Sequence, residues 1–227
     1  MAQRARTGAG SAGRVIAGVA RGRALASPGE GTRPLGDRVK QTLFAILEPT
    51  IRNRAFLDLF AGSGAGGIEA LSRGAARAVF VERDQGALET IERNLQATGL
   101  AGAPARVVHG KAGRWLEDHG RHVGPFAAAL LDPPYDRPEL LEAALEAIAG
   151  AGPGGILEAD GVVVAKHFWK TPPPAEIGLL RSVRERRFGE TTLTFLRWAP
   201  AAPADNAAPV DNAAPVDETA PVDEEDG

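Results

Sequence analysis

AFLDLFAGSGAGGIEAL, residues 55–71, decides the fold. A compact apolar run, Ala55–Leu59, meets glycines in the spacing G-x-G-x-x-G at Gly62, Gly64 and Gly67, and a helical pattern follows from about Gly66 to Ser72. A glycine turn between strand and helix lets backbone approach a ligand closely, with the helix N-terminus facing it. No Gly-Lys-Ser/Thr follows, which excludes a Walker phosphate loop. Glu82 ends the next apolar run, twenty residues after Gly62, where an acid can accept from both hydroxyls of a ribose. These features fit a nicotinamide dinucleotide or S-adenosylmethionine equally, since both present an adenosyl ribose.

Outward from this stretch the alternation repeats. Ala78–Val81 leads to a helix from about Gln85 to Thr98, with Asp84 as its cap. Ala105–His109 leads to a short helix near Ala112–Asp118, Ala127–Leu131 to one across Pro138–Ala149, and Gly161–Ala165 is a fifth strand. Such runs predict a parallel sheet covered on both faces. Leu180–Phe188 and Thr191–Trp198 are joined by Gly189-Glu190 alone, too short for a parallel crossover, so an antiparallel hairpin is expected. Upstream, Arg14–Ala17 and Ala20–Leu25 flank a glycine and read as a basic hairpin. Asp37 can cap a helix to about Leu47, with Val39, Leu43, Ile46 and Leu47 on one face and Arg38 and Lys40 off it. The expected fold is α/β, a mostly parallel seven-stranded sheet ending in an antiparallel hairpin. It resembles the Rossmann-like class I S-adenosylmethionine-dependent methyltransferases.

Composition narrows the class. The 227 residues are 44% hydrophobic and 24% charged, ordinary for a soluble domain with a full core. The absence of cysteine excludes disulfides, thiolate zinc sites and a cysteine nucleophile. His109, His119, His122 and His167 lack metal-like spacing, and no metal is expected. The longest apolar run, Phe126–Leu131, cannot span a bilayer, and no apolar stretch follows the basic N-terminus, so a cytoplasmic protein is expected. The net charge of −3 becomes +5 once the eight acidic residues after Pro200 are set aside. That basic body fits a polyanion partner. Four segments follow: a disordered basic N-terminus (1–12), a hairpin and helix (13–50), the catalytic domain (51–199), and a disordered acidic Ala/Pro/Asp repeat (200–227).

The fourth apolar run ends in LLDPPYD, residues 130–136, which holds the only tyrosine. In open α/β sheets ligands bind at the carboxyl edge of the strands, the edge that Gly62–Gly67 and Glu82 share with Asp132. Pro133 and Pro134 lock their φ angles, and Pro134 restricts Pro133 to extended conformations. The Pro133 carbonyl therefore sits in a fixed direction beside the Asp132 carboxylate. Two fixed acceptors match the two hydrogens of a nucleobase amine. Drawing on both N–H bonds favours a pyramidal nitrogen and localises the lone pair that the ring would otherwise delocalise. Tyr135 can stack on a base turned out of its helix.

With RVIAGVARGRAL, TRPLGDRVKQTLFAIL and FLDLFAGSGAGGIEALSRGA, the D-P-P-Y motif makes residues 13–198 resemble the RsmD family of 16S ribosomal RNA guanine-N2 methyltransferases. The resemblance implies S-adenosylmethionine as methyl donor and guanine 966 as target, modified during small-subunit assembly by a monomer. It implies Phe60, Ala61, Gly62, Ser63 and Gly64 on the methionine side of the donor and Glu82 on its ribose, with Asp58, Arg83, Lys111 and Ala112 completing the cofactor set. Asp132 and Pro133, braced by Pro134, would hold the amine, and Tyr135 would stack. Arg14, Arg21, Arg23, Arg33, Arg38 and Lys40 would meet RNA phosphates. Two departures matter. Lys111 stands where the family usually has Asp or Asn to read adenine, so a backbone carbonyl or an Asn94 contact must substitute. Lys166-His167-Phe168-Trp169-Lys170 stands where the family commonly has Glu, and it reads either as an RNA-holding run or as a strand end with a half-buried aromatic. An adenine-N6 DNA methyltransferase, which shares D-P-P-Y, and a non-catalytic RNA-binding assembly factor remain as alternatives.

Overall fold

A computed structural model describes residues 11–29, 35–102 and 104–199. Strands β1 (Ser11–Arg14) and β2 (Ala24–Ala26) form a small antiparallel ribbon, followed by helix α1 (Asp37–Ile51). The alternating body is β3 (Ala55–Leu59), α2 (Ala65–Ser72), β4 (Arg77–Glu82), α3 (Gln85–Thr98) and β5 (Ala105–His109). It continues with α4 (Ala112–Trp115), a π turn at Leu116–Gly120, α5 (Arg121–Val123), β6 (Phe126–Leu131) and α6 (Pro138–Ala151). Then come β7 (Leu157–Phe168), β8 (Glu176–Ile177), β9 (Leu180–Phe188) and β10 (Thr191–Trp198).

The main sheet runs in the order β5-β4-β3-β6-β7-β10-β9-β8. β5 through β7 are parallel, and β10 inserts antiparallel between β7 and β9. The expected seven strands thus become eight. The extra one is the two-residue β8, which follows a proline run and pairs with β9 only through Glu176–Arg181 and Ile177–Leu180. A pairing of two residues leaves no periodicity to read.

Every residue of β3 and β6 is buried, as a parallel sheet covered on both faces requires. One core layer joins Phe56, Phe80, Leu130 and Val164 to Leu43, Phe44 and Leu47 of α1 and to Ile68, Ile91 and Leu95. The other joins Leu57, Val79, Leu131 and Val163 to Trp115, Leu141, Leu145 and Ile148. Gly67 makes the first layer possible, because a Cβ there would stand 2.2 Å from the Phe80 ring.

The N-terminal segment is pinned to α2 by polar groups. Buried Glu69 accepts from the backbone N–H groups of Ile16 (2.7 Å) and Ala17 (3.0 Å) and pairs with Arg73 (2.7 Å). Ser72 accepts from Ala20 N–H (3.0 Å) and donates to the Ala17 carbonyl (2.6 Å).

Two expectations for this segment need correction. The hairpin strands are shorter than expected and lie farther apart in the chain, at Ser11–Arg14 and Ala24–Ala26. Gly36, not Asp37, caps α1, and Lys40 lies on the buried face with Phe44, Leu47 and Ile51. Its ammonium donates to the Arg14 carbonyl and sits 3.7 Å from Asp37, with no exposed surface. Burial lowers its pKa against the opposing pull of Asp37 and Glu69. Lys40 is a structural cation beneath the ribbon and has no reach to an RNA phosphate.

Candidate active site

The carboxyl ends of β3, β4, β5 and β6 open into a cleft of about 720 Å³. Asp58, Phe60, Ala61, Gly62, Ser63, Glu82, Arg83, Lys111, Ala112 and Asp132 through Tyr135 all line it. Gly64 does not. It caps α2 with φ 76°, where an L side chain is strained, and packs its backbone against Ile91. Ala12, Ser27, Pro28 and Leu35, from the N-terminal extension, complete the wall and were not anticipated.

Glu82 is positioned by the turn it faces. Its Oε2 accepts from Gly62 N–H at 2.8 Å, and its Oε1 accepts from Arg83 and Asp84 N–H at 2.7 and 3.0 Å. Asp84 in turn caps α3, accepting from Ala87 N–H at 2.8 Å. Asp58 lies buried under the same turn and accepts from Gly67 N–H at 2.7 Å. Burial pushes its carboxyl up to about 8, with the nearby Asp132 and Glu82 charges adding to the rise and the Gly67 bond opposing it. Glu82 and Asp132 thus place carboxyl groups along the cleft, Asp132 paired with Lys166 of β7, while burial holds Asp58 toward its neutral form.

At the end of β6 the double proline divides its carbonyls between two jobs. The Pro134 carbonyl accepts from Arg137 N–H at 3.1 Å. Among the described residues, nothing donates to the Pro133 carbonyl. Lys166, from β7, closes its ammonium on Asp132 Oδ1 and lies 4.9 Å from the Tyr135 ring centroid. The lysine is 5% exposed. Burial pushes the Asp132 carboxyl up, and the Lys166 ammonium works against that rise. Burial also acts to lower Lys166, but the charge and hydrogen bond of Asp132 hold it above its ordinary value. The pair engages Oδ1 alone, and Asp132 and Pro133 both line the cleft.

Tyr135 is held by a 2.7 Å hydrogen bond between its hydroxyl and Thr191 Oγ1, with Phe168 tilted against it at 6.2 Å. One side of its ring thus faces the Lys166 cation.

The run at the end of β7, from Lys166 to Lys170, divides. Lys166 and His167 are buried, and His167 bonds to the Phe168 carbonyl and Thr194 Oγ1, which removes both from any surface role. Lys166 was missed as a site residue because its partner stands 34 positions away in the chain. Asn94 is also spoken for. Its side chain donates to the Ala26 and Ser63 carbonyls and accepts from Ala26 N–H, so it does not replace the missing adenine-reading acid.

Of the proposed phosphate contacts, Arg21, Arg23 and Arg38 are exposed, and exposed Arg14 pairs with Asp37 at 3.1 Å. Arg33 lies outside the described residues, as do segments 1–10 and 200–227.

The family model described as conserved hypothetical protein 95 matches residues 13–197. YlbH of Bacillus subtilis (strain 168) is 39% identical over 179 residues, covering 78% of this chain and 95% of YlbH. The Escherichia coli (strain K12) protein named ribosomal RNA small subunit methyltransferase D is 46% identical over 125 residues, 55% of this chain and 61% of that one. Among solved structures, yhhF from Escherichia coli superposes with a TM-score of 0.70 at 34% identity, covering 84% of this chain and 99% of yhhF.

Proposed function

Since the chain belongs to the RsmD family of rRNA methyltransferases, we propose that it methylates the exocyclic N2 of one guanine in 16S ribosomal RNA, guanine 966, with S-adenosylmethionine as donor. The observation that carries the reading is the meeting of Asp132 and Pro133 with the glycine turn and Glu82 in one cleft, where no donor among the described residues engages the Pro133 carbonyl.

The residues fit such a donor. S-adenosylmethionine, when bound, supplies a methyl group activated by a positively charged sulfur. Glu82 and Asp132 border the cleft with carboxyl groups, the backbone of Phe60 to Ser63 lines it, and Glu82 presents oxygens already oriented by three backbone amides. Lys111 and Ala112 would flank the adenine.

Asp132 and Pro133 would grip the amine and orient its lone pair. Lys166 opposes the rise that burial imposes on the Asp132 carboxyl, which favours the ionised form that accepts rather than donates. Tyr135, fixed by Thr191, would bear on the base through the ring side that Lys166 leaves open. The exposed arginines of the N-terminal extension would hold phosphates, and the substrate would be the RNA within an assembling small subunit.

The test is methyl incorporation into small-subunit RNA lacking the modification, with mass mapping of the product nucleotide. Asp132→Ala should lower turnover about 100-fold or more with the donor affinity little changed. Preferred transfer to duplex DNA would defeat the reading.

A further inference from the structure

Beyond the cleft, the end of β7 carries a group of rings and cations that the reaction does not use. Tyr135, Phe168 and Trp169 form a line of rings, each step 6.2 Å between centroids, leading from the cleft mouth to the surface. Trp169, the outermost, is 38% exposed. The Arg187 guanidinium lies 3.9 Å from its centroid and the Lys170 ammonium 5.2 Å. Arg187 belongs to β9, which also exposes Arg184 and Arg186. Since β8 pairs with β9 only at Leu180 and Arg181, the outer side of β9 from Val183 to Phe188 has no strand beside it among the described residues.

A single exposed tryptophan needs no explanation. One that continues a line of rings from a nucleobase site, with a guanidinium against it, offers a flat stacking surface and positive charge together. Those are the two elements by which single-stranded nucleic acid is held: bases on aromatic rings, phosphates on cations. A duplex keeps its base faces stacked on one another and has no use for the ring.

We propose that Trp169, with Arg187 and Lys170 against it and Arg184 and Arg186 along β9, binds single-stranded RNA flanking the nucleotide held at Asp132. This rests on the RNA methyltransferase reading and adds the direction of the flanking chain, which leaves the cleft toward the hairpin end of the sheet. Arginines on an edge strand also prevent strand pairing between copies. If that is all they do, RNA affinity will not depend on them.

RNA affinity, rather than turnover, is the readout. The full chain is titrated with a mixed-sequence single-stranded oligoribonucleotide and with the same sequence folded as a hairpin duplex. Trp169→Ala should weaken single-strand binding about tenfold and duplex binding far less, and Trp169→Phe should restore most of the loss. Arg184→Ala with Arg187→Ala should lower the slope of log affinity against log salt by about 1. Thermal melting verifies that each variant is folded. Single-strand affinity within twofold of wild type for both Trp169→Ala and the arginine pair would overturn the proposal, as would equal losses on single strand and duplex. A separate methylation assay on small-subunit RNA judges the enzymatic reading, so a failure there and an unmoved affinity count against different conclusions.

Discussion

Lys166 and Asp132 form an ion pair at the floor of the cleft, their side chains 6% and 21% exposed. Glu82 adds a carboxylate to the same cleft, Asp58 lies beneath it with its carboxyl pushed up to about 8, and Tyr135 covers the lysine. A carboxyl that must accept a hydrogen bond works above its pKa and fails below it. Lys166 restrains the rise that burial imposes on Asp132, so Lys166→Met should move the acidic limb of turnover to higher pH. The ratio of activity at low pH to that at pH 8.5 should therefore be smaller in Lys166→Met than in the wild type. Lys166→Arg should restore the profile. A limb that stays in place in Lys166→Met would show that the lysine does not tune the carboxylate.

Asp58 gives a second pH dependence, of opposite use. Its carboxyl titrates at about 8 in the folded chain and near its ordinary value when unfolded. Between roughly pH 4 and pH 8 the folded state alone holds this proton, so stability should fall as pH rises, by up to about 1.4 kcal/mol per unit. Melting of the ligand-free protein across that range, compared with Asp58→Asn, isolates the contribution; the variant should show the shallower decline.

Glu69→Ala would strip the acceptor from the Ile16 and Ala17 amides and leave Arg73 one partner short. Losing a buried charged acceptor costs about 3 kcal/mol. In a domain of this size that corresponds to a fall of roughly 6–12 °C in Tm. Limited proteolysis should then cut first between β1 and β2.

Lys40 and Arg38 are neighbours with opposite fates, one fully buried and one exposed. Arg38→Ala should lower the salt slope of RNA binding by about 0.7 to 0.9 while stability holds. Lys40→Met should do the reverse, lowering Tm with the salt slope unchanged. Equal effects on the slope would show that the cation beneath the ribbon is reachable by RNA.

The parts of the fold legible in the sequence were those with local punctuation. Gly189-Glu190 fixed the β9–β10 hairpin at its observed bounds, and Asp84 marked the start of α3. The cleft was legible for the same reason, since Gly62, Glu82 and Asp132 each stand at or just beyond the carboxyl end of a strand. What stayed hidden depends on distant partners. β7 begins at Leu157, through a polar stretch, because Arg54 binds Glu158 and Asp160. Lys40 looks like a surface residue on a helical wheel until Arg14 offers its carbonyl. Lys166 looked like part of a basic run, and only the neighbouring strand turns it toward Asp132.

Glu82 enters any encounter with a ribose already immobilised, its carboxylate fastened by the amides of Gly62, Arg83 and Asp84. A free glutamate gives up about 1.5–2 kcal/mol of rotamer entropy when it is ordered. Here that loss was settled when the chain folded, so a ribose bound as proposed would meet a carboxylate with little ordering entropy left to lose.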